Sequence, residues 1–386
     1  MEQMTSEKFA DAQLLYFTGS SLNISDEWLY FISSCSGGSP NIFRKHLAHG
    51  TEEQLTFQHS GILKSYVYFD GTPYRGFGKA SVVLDDRRDI VYYIHGLEIH
   101  KITNGEDRIL ANYPHGQMTA FCHVSPDGKR LCVPTVDAEA LRGEEQLPAH
   151  WNIDECVQRL NLSSFLRIYD TETGRELQCI EIPRCWITHV QFSPTNPEQI
   201  LYNHEWASDC GIRRMWLWDD RLRKSIRLRN AEEGRSGDDW VCHEIWTADG
   251  KEIIYHGKLA RGRFFIGKYT LENNSRIELE IPEAYTGYGH FTMHSRSLLV
   301  SDGYYCKNEN PGGHDIISLQ QVDWEQKHIR WIPLCRHASS WNCQCSHPHP
   351  IFDHAGRNIY FTSDRNGYRA IFRCTTADSE RDVDLM

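Results

Sequence analysis

One phrase recurs seven times along this chain. A turn built from Ser, Asp, Pro, Gly or Asn is followed at once by a short β-rich run. The first copy is Ser25-Asp26-Glu27-Trp28-Leu29-Tyr30-Phe31. It returns at 85–93 (DDRRDIVYY), 125–133 (SPDGKRLCV), 193–202 (SPTNPEQILY), 247–255 (TADGKEIIY), 295–301 (SRSLLVS) and 354–361 (HAGRNIYF). The copies stand about 40 to 70 residues apart, close to the period of propeller blades.

A second signature follows the copies: an alternating run and a polar turn. Examples are Asn41-Ile42-Phe43-Arg44-Lys45, Leu97-Glu98-Ile99-His100-Lys101, 165–170 (FLRIYD), 215–218 (MWLW), 264–269 (FFIGKY) and 370–373 (AIFR). Period-2 alternation argues for strands with one buried face. The DG, PDG and TG dipeptides supply the positive-φ positions that hairpins need. The fold class predicted is therefore all-β, a seven-bladed β-propeller occupying residues 1–386 as a single domain. A pair of β-sandwiches is the alternative, and seven recurring units count against it. The ring has to be closed. The run Leu14-Leu15-Tyr16-Phe17 is expected to be the N-terminal strand that closes the last blade. The best helical segment is 144–160 with its Pro148, read as an insertion within the third blade.

The 386 residues are 40% hydrophobic and 24% charged, which excludes a disordered or collagen-like chain. The net charge of −11 argues against a nucleic-acid binder driven by phosphate neutralisation. No apolar run approaches the roughly 20 residues of a membrane helix, and the N-terminus lacks the apolar core of a signal peptide. A cytoplasmic location, with no membrane and no nucleic-acid partner, is the expectation. The chain holds 13 cysteines. No CxxC pair occurs, and Cys343-Gln344-Cys345 is a poor disulfide spacing. Reduced, mostly buried thiols are expected.

Histidines carry the candidate chemistry. On an extended strand, residues two apart share a face, so His347 and His349 in Cys343-Gln344-Cys345-Ser346-His347-Pro348-His349-Pro350 would present two imidazoles together. Pro348 and Pro350 place this run on a strand edge. Two imidazoles facing a channel make half of a metal site; two exposed histidines in a Pro-rich turn are the competing reading. His290, in 287–294 (GYGHFTMH), takes the equivalent place one blade earlier. His243, His189 and His123 repeat it further back. Five blades thus offer a histidine just before the repeat turn, and a convergent imidazole ring at one end of the channel is expected.

The HEIWTADGK, RRMWLW, GHFTMH and QCSHPHP runs resemble those of the oligogalacturonate lyases, cytoplasmic seven-bladed propellers that cleave short pectin fragments by β-elimination. The specific motifs lie between about His204 and Phe361; the N-terminal half matches only as a generic propeller. The resemblance implies a metal held by His290, Gln344, His347 and His349, and implies manganese. Ligand chemistry alone suits zinc, iron or nickel as well. It also implies His243 as the base and Arg214 as the arginine that stabilises charge. Arg213 beside it faces the other way on an alternating strand. His204 and Glu205 are assigned to substrate contact, and His189 to the pocket floor. A small anionic oligosaccharide would be the substrate. Two other functions stay open: a non-catalytic interaction propeller, in which His290, His347 and His349 would diverge, and a metal-dependent hydrolase or epimerase on a related uronic-acid sugar.

Overall fold

The computed structural model describes residues 1–9, 11–35, 38–63, 76–77, 81–141, 153–205, 214–229, 240–259, 262–281, 289–303 and 315–377. Seven antiparallel sheets follow one another along the chain as the blades of a propeller. Blade 1 runs Gln13–Leu14, Trp28–Ser33, Asn41–His46 and Glu52–Gln54. Blade 2 runs Val82–Asp85, Ile90–His95, Glu98–Thr103 and Glu106–Asn112. Blade 3 has a first strand broken into Gln117–Thr119 and His123–Val124, then Arg130–Asp137, Ser163–Asp170 and Glu176–Pro183. Blade 4 runs Val190–Phe192, Gln199–Asn203, Met215–Asp219 and Lys224–Arg227. Blade 5 runs Trp240–Trp246, Glu252–Lys258, Phe264–Thr270 and Ser275–Glu280. Blade 6 runs Phe291–Ser295, Leu298–Ser301, Ile316–Asp323 and His328–Arg336. Blade 7 runs Ile351–Phe352, Asn358–Ser363 and Ala370–Thr375.

Each repeat copy is the turn between the first and second strands of a blade. The second strands are buried on both faces, as in Tyr92 and Tyr93 or Leu299 and Val300. The reason lies in the blade-to-blade packing. Tyr93 packs toward blade 1 and Tyr92 toward blade 3; Leu299 packs toward blade 5 and Val300 toward blade 7. Seven apolar clusters fill the seven junctions, including the one that joins blade 7 to blade 1 through Ile351, Tyr360, Ile371, Leu14 and Phe31. One buried face per strand was expected; in a closed ring the inner strands have two, which explains runs such as IVYY that do not alternate.

The closing strand is not the expected one. Glu2–Gln3 pairs with Ala370–Thr375 and completes blade 7. Gln13–Leu14 is the first strand of blade 1. Leu14 pairs with Phe31 and packs with Leu29 and Phe31 of its own blade. The helix of blade 3 is Ile153–Leu160, between the second and third strands; residues 144–152 of the expected helical segment lie outside the described residues. Cys343 and Cys345 are joined as a disulfide, contrary to the expectation of reduced thiols. The short helical turn Gln344–Ser346 brings their side chains together, where an extended strand would have left them apart.

A charged latch spans three blades at this junction. His354, in the turn of blade 7, faces Asp26 through Nδ1 (2.7 Å) and Asp86 through Nε2 (3.0 Å). Burial disfavours its charged form, but the hydrogen bonds and charges of Asp86 and Asp26 outweigh that and raise its pKa above 6.5. A raised pKa means stability that is whole below about pH 6.5 and fades as pH rises through the folded value. The difference in Tm between the protein and His354→Gln should therefore be largest in mild acid and shrink toward alkaline pH. A difference that does not change with pH would mean that the latch carries no charge.

Candidate functional site

Tyr16 and Phe17, just after the first strand of blade 1, mark the centre of the ring. Tyr16 stacks within 3.9 Å of Phe121 and 5.4 Å of both His189 and His349, measured between ring centroids. Phe17 lies 5.2 Å from His243, 6.2 Å from His290 and 6.0 Å from His349. These two rings reach side chains of blades 3 to 7. His189, His290 and His349 stand just before the first strands of blades 4, 6 and 7, and His243 lies within that of blade 5, where the ladder is broken between Cys242 and Ile245.

Around this centre three imidazoles converge. His290 and His349 are 3.7 Å apart, His290 and His347 5.2 Å, and His347 and His349 6.0 Å. The convergence does not come from strand alternation. His349 adopts φ 47°, and the chain before it is a helical turn. The backbone therefore curls, and the His349 Nδ1–H donates to the His347 carbonyl at 3.0 Å. The side chain of Gln344 lies outside the described residues.

Asp302 organises the group. It is fully buried just after the second strand of blade 6. One oxygen accepts the His290 backbone N–H (2.5 Å). The other accepts His290 Nδ1–H (3.1 Å) and the His349 backbone N–H (3.0 Å). Burial pushes this carboxyl up, and the charge and hydrogen bonds of His290 more than reverse it, so it stays ionised. Gly289 makes the approach possible. A Cβ there would stand 2.4 Å from the Gly303 backbone and 2.8 Å from Asp302 Oδ1.

These bonds fix tautomers. With the Nδ1 proton of His290 and of His349 donated, the lone pair of each ring sits on Nε2, the form a metal ligand needs. Two of the three clustered imidazoles, His290 and His349, are oriented in this way. Asp302→Asn should weaken metal binding by about 10–100-fold. Competition with a chromogenic chelator measures it, and an unchanged affinity would reduce Asp302 to a structural residue.

Beside the trio lies a buried charge cluster. Arg214 donates from Nη1 to Glu205 Oε1 and from Nε to Glu244 Oε2, both at 2.9 Å. Its Nη2 donates to His189 Nδ1 at 2.6 Å. His189 accordingly carries its proton on Nε2, which faces the Tyr16 hydroxyl at 3.0 Å. Burial, then the Arg214 charge, hold the His189 pKa down at about 3. Glu205 also accepts hydrogen bonds from Thr188 and Asn203. Burial pushes its pKa up, and Arg214 and His189 bring it below the ordinary value. Glu244 stays raised by burial, though Arg214 opposes it.

Glu205, expected at the substrate, is thus turned inward at 3% exposure and holds Arg214. His204 faces away from the trio, its ring 5.0 Å from Trp216. Burial, then Arg227, lowers its pKa to about 4. Arg213 lies outside the described residues. His243 joins the centre, 4.7 Å from His290, and its Nδ1 is 2.8 Å from Nε2 of His256. Burial, then the neighbouring His290, His256 and Arg214 charges, hold it well below 6.5, so the ring is neutral.

His123 does not join them, which corrects the expected ring of five. It bonds Phe192 N–H at 3.2 Å, at the far end of the first strand of blade 4. It also lines a cavity of about 240 Å³ with Asp85, Ser125, Phe192 and Trp246 at that end. Phe121, four residues before the Ser125 turn, takes the place that His189 and His243 hold four residues before theirs.

The sequence profile of one protein family, described as oligogalacturonate lyase, matches residues 132–380. The chain belongs to the oligogalacturonate lyase family. An oligogalacturonate lyase of Dickeya dadantii is 26% identical over 222 residues, and an oligogalacturonide lyase of Pectobacterium atrosepticum 25% over 226. Each alignment takes in 54% of this chain and 55% of the relative, so the chain spans about half the length of the curated relatives it matches. Two solved oligogalacturonate lyases share the fold. One, in complex with manganese, is 20% identical with a TM-score of 0.75, covering 97% of this chain and 92% of its own. The other, from Vibrio parahaemolyticus, is 19% identical with a TM-score of 0.77, covering 98% and 94%. Apart from His123, the expected site residues fall inside the stretch that matches the oligogalacturonate lyase family. Tyr16 and Phe17 fall outside it.

Sequence reading missed Asp302, His256 and the Tyr16–Phe17 pair. A signal for the first existed. Phe291 pairs with Ser301 across the blade 6 hairpin, so the next residues outward, His290 and Asp302, are opposite each other.

Proposed function

We propose that this protein is a metal-dependent lyase that cleaves short oligogalacturonides by β-elimination. One observation carries the reading: His290, His347 and His349 converge, and Asp302 and the His347 carbonyl orient two of the three as ligands. An interaction propeller predicts that they diverge.

His290, His347 and His349, with Gln344, would hold the ion, and manganese is the metal named with one structural relative. When bound, the ion supplies positive charge against the uronate carboxylate, where charge builds up as the C5 proton leaves. Arg214 cannot supply that charge alone, because Glu205 and Glu244 balance it. Its role is to hold His189 and to present a fixed guanidinium beside the pocket. His243 takes the C5 proton. With Nδ1–H donated to His256, its lone pair is on Nε2, and its lowered pKa keeps that lone pair unprotonated at neutral pH. The C5–H electrons form the C4–C5 double bond, and the C4–O bond breaks. The departing oxygen takes up a proton and leaves as a hydroxyl.

We place the reaction in the cytoplasm. The unbridged buried thiols of Cys122, Cys132 and Cys156 accord with a reducing compartment, and the Cys343–Cys345 bridge counts against it. No helix among the described residues is long and apolar enough to cross a membrane.

Incubating the manganese-loaded protein with digalacturonate tests the proposal. The expected product is a conjugated, 4,5-unsaturated uronate that absorbs in the ultraviolet. Cleavage without that absorbance would make the enzyme a hydrolase. Neither cleavage nor metal uptake would leave an interaction propeller.

A further inference from the structure

Cys242 has no part in the reaction above and His256 only orients its base, yet both adjoin it. They are register partners on the first and second strands of blade 5. On a regular strand Cys242 and His243 would point to opposite faces. The ladder shifts between Cys242 and Ile245, and His243 adopts φ 55°. That bulge re-aims the imidazole toward the side of the thiol. A sulfur from Cys242 and one ring nitrogen each from His243 and His256 consequently lie within 4.8 Å of one another. All of this sits at the inner end of blade 5, with Phe291 edge-on to His256 at 5.5 Å.

The donor chemistry differs from that of the trio. One thiolate and two imidazoles form a borderline-soft set that suits zinc, with bonds of about 2.0–2.3 Å. Hard ions such as manganese prefer oxygen donors and gain little from sulfur. The carboxylates near Cys242, Glu205 and Glu244, each give one oxygen to Arg214, and neither falls within the group of donors that lie within 4.8 Å of one another.

We propose that Cys242, His243 and His256 form a second metal site that takes a zinc-class ion, and that filling it inhibits the enzyme by binding its base. On binding, Cys242 loses its proton to solvent and gains a sulfur–metal bond. Each imidazole gives a nitrogen lone pair to the metal, and water completes the coordination. The site stands on its own geometry. Only its inhibitory effect rests on the reading of His243 as the base.

Titrating cobalt(II) into the full-length, manganese-loaded protein tests it. One equivalent should produce a thiolate-to-cobalt charge-transfer band in the near ultraviolet, which zinc then abolishes by displacement. Cys242→Ala and His256→Gln should each lose the band, and His347→Ala should keep it. If one of the first two fails to fold, the other decides. No thiolate band, or a band that survives in Cys242→Ala, would overturn the site. Zinc should also stop turnover of the wild type, and half-inhibition in Cys242→Ala should need about tenfold more zinc or above. Equal zinc sensitivity in the two would overturn the inhibition and place zinc on the trio instead. A thiolate band in a protein with no lyase activity would leave the site in place and remove the lyase reading.

Discussion

His243→Ala should lower turnover by about 10²–10⁴-fold, the usual contribution of a positioned general base, while the protein keeps its bound manganese. The two readouts separate two roles. The ring of His243 stands 4.7 Å from that of His290, close enough to serve the reaction and close enough to have been a ligand. Its Nδ1 is engaged by His256, whereas those of His290 and His349 are engaged by Asp302 and a carbonyl. The proposed reading gives the ion to the trio and the proton to His243. Metal analysis of the variant decides it: loss of the ion would move His243 into the ligand set and leave the C5 proton without an assigned acceptor.

Arg214→Leu should destabilise the fold by about 3–5 kcal/mol, because it leaves two carboxylates buried with no counter-charge. Glu205 and Glu244 are 3% and 2% exposed and share this one guanidinium. The loss should appear as a lower urea midpoint with an unchanged slope. Arg214→Lys keeps the charge but not the planar fork, so it should recover only part of the stability. If Arg214→Leu unfolds at the wild-type midpoint, the cluster is not structural and Arg214 is held for the substrate alone.

The fold was legible because the repeat is a physical unit. A turn followed by an apolar strand marks the first hairpin of each blade, and seven hairpins give seven blades. The closing strand was not legible: Glu2–Gln3 is two residues long and polar, and only its pairing with Phe372 and Arg373 gives it a place. The site was legible where spacing to the turn was kept. His189, His243 and His349 each stand four residues before their turn residue, while His123 stands two before Ser125 and lands at the other end of the strand. His347 and His349 meet as expected, but through a left-handed residue that no periodicity predicts. Residues that orient the histidines were overlooked because they lie on the facing strand. Counting outward across each hairpin finds them: Asp302 opposite His290 and Asn203 opposite His189. Asn203 accepts the His189 backbone N–H at 2.8 Å, as Asp302 accepts that of His290.

Glu2 and Gln3 lie beside the strand that ends at Thr375, so the sheet that follows His347 and His349 joins residues 2–3 to residues 351–375. A nascent chain emerging from the ribosome can stack its early sheets in order, but its last one must wait for residues beyond 370 and then recruit residues 2–3. His347 and His349, proposed as ligands, stand just before the first strand of that final sheet, Ile351–Phe352. If His347 and His349 hold the ion as proposed, its capture would wait on the closing of the ring.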